Sequence, residues 1–297
     1  MLFITGATGH SGKWFLKYLS ETTLYKDVKC VIRNEEKLES IKKMNLNLNI
    51  IPQFGDLENL DFLQESMEDC NTILHIASIY YSENIIKAAI KNNIEWCILV
   101  HTTGIFSKYK SASEEYSKIE NSLEKYRNQI KITILRPTMI YGSDQDRNMI
   151  KLIDFLYRFK FFPMFGGGGN LMQPVLASDL ARAYIQVIEN KEKTKGNDYN
   201  LPGKTPIPYI QLIQTVGKIL GRKTIIIKLP IGFSIFSAKL YNFLSPKPII
   251  SVEQVLRMQE DKAFDYQKAI YDFGYNPIDF ETGIKEEIQI YLDKKGK

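Results

Sequence analysis

Thr5-Gly6-Ala7-Thr8-Gly9-His10-Ser11-Gly12 is the stretch that decides the fold. It closes a short apolar strand, Leu2–Thr5, and opens a helix whose apolar face is Trp14, Phe15 and Leu19. Glycines at 6, 9 and 12 suit a strand-to-helix turn built against a diphosphate. The first permits a tight turn, the second lets the backbone approach the anion, and the third lets the helix pack closely on the strand. Free N–H groups at the helix start then face the negative charge. Gly6, Ala7, Thr8, Gly9, His10, Ser11 and Gly12 are therefore candidate cofactor contacts.

The same strand-helix rhythm runs outward from this turn. Strands are expected at 28–32, 47–53, 72–77, 95–102 and 130–135, with helices at 34–44, 57–67, 84–92 and 113–126 between them. Short connections between alternating strands and helices predict an α/β fold, a Rossmann-type doubly wound parallel sheet. Beyond Arg136 the rhythm breaks. Helices at 148–161 and 179–189 flank a glycine run, Gly166 to Gly169, and Asp198–Leu201 supplies a seventh strand. Prolines 206, 208, 230, 246, 248 and 277 then punctuate short helices. The expected division is a dinucleotide-binding domain of 1–142 plus roughly 171–204, and a smaller C-terminal substrate lobe of 143–170 and 205–297.

Bulk composition narrows the class. The chain of 297 residues is 44% hydrophobic and 25% charged, which fits an ordered globular protein. Its net charge of +5 is scattered, with no basic block to track a phosphate backbone, so no nucleic-acid partner is expected. Cys30, Cys70 and Cys97 each fall in or beside an apolar run and fit free thiols in a reducing compartment. The N-terminus lacks the pattern of a secretion signal, and the apolar region 229–244 is interrupted by Gly232, serines and Lys239. A cytoplasmic protein with no integral membrane segment is the expectation. No cluster has metal-ligand spacing.

Arg33 ends the second strand, where an NAD-selective site offers a carboxylate to the ribose hydroxyls. An arginine there favours the 2′-phosphate of NADP(H) over NAD(H); the alternative is a solvated arginine paired with Glu35 or Glu36. Asp56 stands where it can reach the adenine edge or cap the next helix. Ala77 and Ser78 are small residues at the end of the fourth strand, fit for close cofactor approach.

These residues, taken in order, resemble the short-chain dehydrogenase/reductase superfamily, in its extended and atypical branches of epimerase/dehydratase-like proteins. The matching features are the glycine turn, Gly55-Asp56-Leu57, His75-Ile76-Ala77-Ser78, His101-Thr102-Thr103-Gly104, and Leu135-Arg136-Pro137-Thr138-Met139-Ile140-Tyr141-Gly142. Gln173-Pro174-Val175 with Ser178-Asp179-Leu180-Ala181, and Phe273-Gly274-Tyr275-Asn276-Pro277, extend the likeness along nearly the whole chain. The resemblance implies cofactor contacts at Leu57, Pro137, Thr138 and Met139, and a substrate-orienting hydroxyl at Thr103.

It also implies a proton-relaying tyrosine with a lysine four residues on, whose charge stabilises the phenolate. That pair is missing. Tyr116 is the best candidate in the corresponding helix, but Glu120 follows it at four residues. Lys118, two residues on, faces another way on a helix, so its help requires distortion. Tyr109 is an alternative donor or substrate contact; Arg147 fits a substrate phosphate or a surface ion pair, and Gln173 resembles a substrate-side position. Four consecutive glycines allow either a mobile lid or tight backbone approach.

The function implied is an NAD(P)-dependent oxidoreductase or epimerase acting on a nucleotide-sugar or a similar carbonyl or hydroxyl substrate, with a homodimer left open. The alternative is a catalytically weak or inactive NADP(H)-binding sensor or scaffold, associated with a membrane complex through 229–244.

Overall fold

A computed structural model describes residues 1–143, 146, 148–232 and 256–296. Its centre is a seven-stranded sheet of β1 (Leu2–Thr5), β2 (Asp27–Ile32), β3 (Asn49–Phe54), β4 (Thr72–His75), β5 (Trp96–Val100), β6 (Lys131–Pro137) and, as the last sheet strand, β11 (Asp198–Leu201). The spatial order is β11-β6-β5-β4-β1-β2-β3, and every pairing is parallel. The order reverses at β1, which lies between β4 and β2. Chain segments leaving β1 and β4 therefore diverge, opening a crevice at the carboxyl edge.

Both faces of the sheet are covered, so its strands are apolar throughout and alternate between two cores. Leu2 and Ile4 enter one core while Phe3 enters the other; Trp96 and Ile98 are likewise divided from Cys97 and Leu99. On the first face lie α1 (His10–Ser20) and α7 (Ala177–Glu189), joined through Phe15, Leu19, Leu180 and Tyr184. On the second lie α3 (Leu60–Ser66), α4 (Ser82–Lys91) and α5 (Lys110–Leu123). The helix α2 (Glu35–Lys42) starts where Asn34 accepts the Lys37 amide. All three cysteines are free and buried, and burial pushes the Cys30 thiol up to about 12.

A third apolar cluster stands apart from the sheet. It gathers α6 (Met149–Arg158), α9 (Tyr209–Ile219) and α11 (Phe280–Lys294) around Ile153, Leu156, Leu212 and Ile284. Three small pairs frame it: β7 (Ile140–Tyr141) with β10 (Val175–Leu176), β9 (Leu171–Met172) with β12 (Ile207–Pro208), and β8 (Phe161–Phe165) with β13 (Ile225–Leu229). The short α8 (Lys191–Thr194) and α10 (Gln267–Phe273) pack beside the edge strand β11.

The strands fall within two residues of their expected positions, and Asp198–Leu201 forms as read. Helix starts differ by up to three residues, and at two of them the cause is visible. Asp56 does not cap α3; Asn59 does, accepting the Phe62 amide at 3.1 Å, because a turn intervenes in which Asp56 accepts the Glu58 amide. Asp179 lies inside α7, where it pairs with Arg182 and accepts the Ile278 amide at 2.9 Å. No helix among the described residues is long and apolar enough to cross a membrane. The apolar stretch 229–244 lies outside the described residues from 233 onward.

Candidate functional site

The glycine turn takes the shape its spacing demands. Gly6 has φ +77°, and a Cβ there would meet the Ala77 nitrogen at 2.7 Å. A Cβ on Gly12 would meet the Gly6 oxygen at 2.2 Å, so helix and turn are in contact with no room for a side chain. Gly9 is the N-cap of α1 and makes no side-chain cap bond. Beneath the turn the strand ends are tied together. His75 must donate through Nε2 to the Ser78 carbonyl, at 3.0 Å, so its Nδ1 accepts the Thr5 hydroxyl at 2.6 Å. Burial pushes His75 down to about 3, which keeps this ring neutral.

In front of the turn lies a groove of about 1060 Å³ that runs along the carboxyl edge. Thr8, Gly9, His10 and Ser11 line one wall; Asp56, Leu57, Ala77 and Ser78 line the other. Arg33 is at the groove and exposed, accompanied by Lys37, a cation that sequence reasoning missed. The signal was present: Lys37 lies four residues on, one helical turn away. Ala7 and Gly12 lie behind the groove surface as packing positions. These uncapped amides, small residues and paired cations fit a nicotinamide dinucleotide, with its diphosphate on the turn and its adenosine end toward Arg33.

At the opposite end, Thr102 and Tyr116 line the groove. An imagined Cβ on Gly104 would lie 3.2 Å from Tyr116 Cε2 and 3.3 Å from Thr102 Oγ1, so the two side chains converge there. The Thr102 oxygen accepts the Gly104 amide at 3.0 Å, leaving its proton to be donated elsewhere. Thr103 lies elsewhere: it is buried, and its hydroxyl donates to the Pro137 carbonyl at 3.2 Å. Sequence spacing does not separate neighbouring threonines, although consecutive residues leaving a strand face opposite ways. A second phenol, Tyr80, stands 6.2 Å from Tyr116 between ring centroids and donates to Glu115 at 3.0 Å, which pushes its own ionisation up to about 12.

Lys118 and Tyr116 are not brought together. The Lys118 side chain is 72% exposed and pairs with Glu114 at 2.8 Å, along its own helix face. Glu120 turns inward instead. It accepts from His101 Nδ1 at 3.0 Å and from Arg136 Nε at 2.9 Å, and Arg136 reaches on to Asp198 at 2.9 Å. Burial works to raise the Glu120 carboxyl, but the bonds from His101 and Arg136 outweigh it and hold the group below the ordinary carboxylate range. An ionised Glu120 can only accept, so His101 carries its proton on Nδ1 and takes the Ser82 hydroxyl at Nε2, 3.0 Å away. Burial lowers His101 as well, keeping it neutral.

The remaining sequence candidates are distributed as follows. Gln173 is buried and bonded to backbone on both sides, giving Nε2 to Gly203 and accepting the Phe264 amide. The Thr138 hydroxyl bonds to the Gln173 carbonyl. Tyr109 is the N-cap residue of α5 and lines neither the groove nor the cavity beside it. Arg147 lies outside the described residues. Within the glycine run the approach is tight at Gly168, which accepts the Ile210 amide and where a Cβ would meet Met164 Sδ, whereas Gly167 and Gly169 border open space.

A second cavity of about 350 Å³ adjoins the groove. Met139 lines the cavity and the next residue, Ile140, lines the groove, so the backbone between β6 and β7 borders both spaces. Among the described residues no group of histidines, cysteines and carboxylates could hold a metal ion.

Sheet order, glycine cradle and groove together define a Rossmann-type dinucleotide-binding protein. The NAD(P)H-binding family profile matches residues 6–156, about half of the chain, and the chain belongs to that family. The likeness to extended short-chain dehydrogenases and reductases is borne out with it. The chain is 25% identical over 202 residues to the mitochondrial NADH dehydrogenase [ubiquinone] 1 alpha subcomplex subunit 9 of Arabidopsis thaliana, covering 67% of this chain but only 46% of that one. It is 22% identical to the N-acetyl-alpha-D-glucosaminyl-diphospho-ditrans,octacis-undecaprenol 4-epimerase of Escherichia coli O157:H7, over 80% of this chain and 83% of that one. It shares its fold with UDP-glucuronic acid 4-epimerase from Bacillus cereus in complex with NAD, at TM-score 0.75 and 19% identity, covering 100% of this chain and 99% of the other.

Proposed function

We propose that this chain is an NADP(H)-preferring oxidoreductase or epimerase acting at a carbonyl or hydroxyl carbon of a small molecule. The observation that carries the reading is a cofactor-sized groove ending at a phenol and a hydroxyl, Tyr116 and Thr102, beside a second cavity. Residues 6–12, with Asp56, Leu57, Ala77 and Ser78, would hold the dinucleotide, and Arg33 and Lys37 its 2′-phosphate. When bound, the nicotinamide supplies or accepts the hydride. Tyr116 would pass the proton to or from the substrate oxygen, and Thr102 would orient that oxygen by donating its hydroxyl proton. Thr103, with its hydroxyl on Pro137, would instead steady the backbone of Pro137 and Met139 at the cavity mouth. Residues 143–170 and 205–297 would form the substrate side. Structural neighbours are named for nucleotide-sugar substrates, and a nucleotide-sugar is the substrate that likeness would bring to this chain.

The test is a panel of carbonyl compounds and nucleotide-sugars with NADPH, followed by absorbance. Tyr116→Phe should lower kcat by about a hundredfold, within the range for a lost general acid, while NADPH affinity stays the same. Turnover unchanged in both Tyr116→Phe and Thr102→Val would overturn the assignment.

One observation favours a second reading, an NADP(H)-responsive sensor without chemistry. Four residues after Tyr116, where a lysine would have to stand to serve that phenol, the chain has Glu120, and Lys118 is exposed and paired with Glu114. Such a protein would bind NADPH yet leave every member of the panel untouched.

A further inference from the structure

The second cavity has walls unlike those expected for a nucleotide. Met139, Met149, Leu152, Met172 and Leu212 make it apolar, and methionines adapt to irregular hydrocarbon shapes. Ribose and diphosphate oxygens would go unpaired against these five side chains, and of the other polar lining residues Asn148 and Lys151 are exposed to solvent. Yet the cavity has a polar corner. Lys262 and Asn170 both line it, and their backbones are tied together through β9. The Lys262 amide donates to the Leu171 carbonyl at 2.7 Å, Met172 bridges to Lys262, and the Tyr209 amide donates to the Asn170 carbonyl at 2.9 Å.

Both corner side chains lack partners. Asn170 Oδ1 is buried with no hydrogen bond, and Lys262 has no ion-pair partner among the described residues. The two carboxylates nearest in sequence are engaged elsewhere: Asp261 accepts the Leu171 amide at 2.7 Å, and Glu260 accepts the Ser107 hydroxyl and the Lys108 amide. Arg257 adds positive field, with its own Nε buried and unpaired. A bare amide oxygen asks for a hydroxyl donor, and an ammonium without an ion pair lining the same cavity asks for an anion.

We propose that this cavity binds an apolar hydroxy acid or its oxo partner, with the carboxylate on Lys262, the hydroxyl on Asn170 Oδ1 and the hydrocarbon against the methionine wall. The proposal names the substrate class for the hydride-transfer reading above and rests on it. It replaces the nucleotide-sugar with an amphipathic acid.

Calorimetry on the full chain tests it, with β-hydroxydecanoate, decanoate, decanol and UDP-glucose as probes and NADPH titrated on the same preparation. β-Hydroxydecanoate should bind tightest, decanoate next and decanol weakest, with no heat from UDP-glucose. Lys262→Met should weaken decanoate by about tenfold and leave decanol unchanged, and Lys262→Arg should restore most of the loss. Equal affinity for decanoate and decanol, or binding of UDP-glucose in place of the acids, would overturn the proposal while NADPH binding kept the cofactor reading intact. Acid binding without NADPH binding would support the cavity assignment and bring down the hydride-transfer reading.

Discussion

The two halves of the molecule treat buried polar groups in opposite ways. Under the dinucleotide groove the buried imidazoles and the Arg136 guanidinium are closed within the protein: His75 between Thr5 and Ser78, His101 between Ser82 and Glu120, and Arg136 between Glu120 and Asp198. Around the second cavity the corresponding groups stand open, as with Asn170 Oδ1, Arg257 Nε and the Lys262 ammonium. A closed network fixes a shape, whereas an open group costs stability until something binds it. The first half is thus a scaffold for a cofactor common to many proteins. The second half carries what distinguishes this chain.

The largest effect is expected where the closed network is cut. Glu120→Ala leaves Arg136 and His101 buried beside each other without their shared carboxylate, and the side chains of Glu120 and Arg136 are only 7% and 12% exposed. Urea denaturation should show a loss of about 3–5 kcal/mol, the range for breaking a buried pair from one side. A loss below about 1 kcal/mol would mean that water reaches this network and that the contrast between the halves is false.

A smaller effect, confined to one ligand, is expected at the adenosine end. Arg33→Ala should weaken NADPH by about 1.5–3 kcal/mol and leave NADH nearly unchanged, as titration by fluorescence would read. Lys37→Ala should act in the same direction more weakly, since it is a point charge without the bidentate fork of arginine. Equal losses for both cofactors would remove the phosphate assignment and leave the groove.

Legibility in the sequence follows the same divide. The sheet could be read because strands buried on both faces are continuous apolar runs, and because Gly6 and Gly12 have a geometric duty that no other residue discharges. The site could be read only in part. Thr102 and Thr103 are adjacent and chemically identical, and only the turn after β5 decides which hydroxyl meets the groove and which meets Pro137. Lys118 and Glu120 are both on α5, and helical period alone could exclude the lysine but could not reveal that Arg136 would draw the glutamate inward. The second cavity was out of reach, because Met139, Asn170 and Lys262 are brought together by small strand pairs with no periodic signature.

Glu287 sharpens the comparison as a buried carboxyl that is only half closed, with its Oε1 unpartnered. It is fully buried on α11, and its Oε2 accepts the Gly142 amide at 2.7 Å. Burial first, and then the neighbouring Asp146 carboxylate, push its ionisation from 4.5 up to about 9, against the opposing pull of the Gly142 amide. Between those limits the folded chain keeps a proton that the unfolded chain has lost, so stability from Glu287 is full below pH 4.5 and drains away as pH climbs toward about 9. Glu287→Gln should flatten this slope, leaving a thermal midpoint that falls less between pH 5 and pH 9. An unaltered slope would assign the pH dependence to other groups.

The smallest effect has the most informative sign. Lys262→Met removes an ammonium that is desolvated, repelled by Arg257 and only partly offset by Glu260, with the result that its ionisation is lowered. Removing half of a closed pair always costs, but removing an open charge costs nothing electrostatically, and a methionine of similar length adds apolar contact to the wall. Without ligand, Lys262→Met should therefore match the parent or exceed it by up to about 1 kcal/mol in urea denaturation. With saturating decanoate the order should reverse, because only the parent gains the stabilisation that a bound anion confers. A loss of several kcal/mol in the absence of ligand would mean that Lys262 is closed after all, and the polar corner would then belong to the scaffold instead of the site.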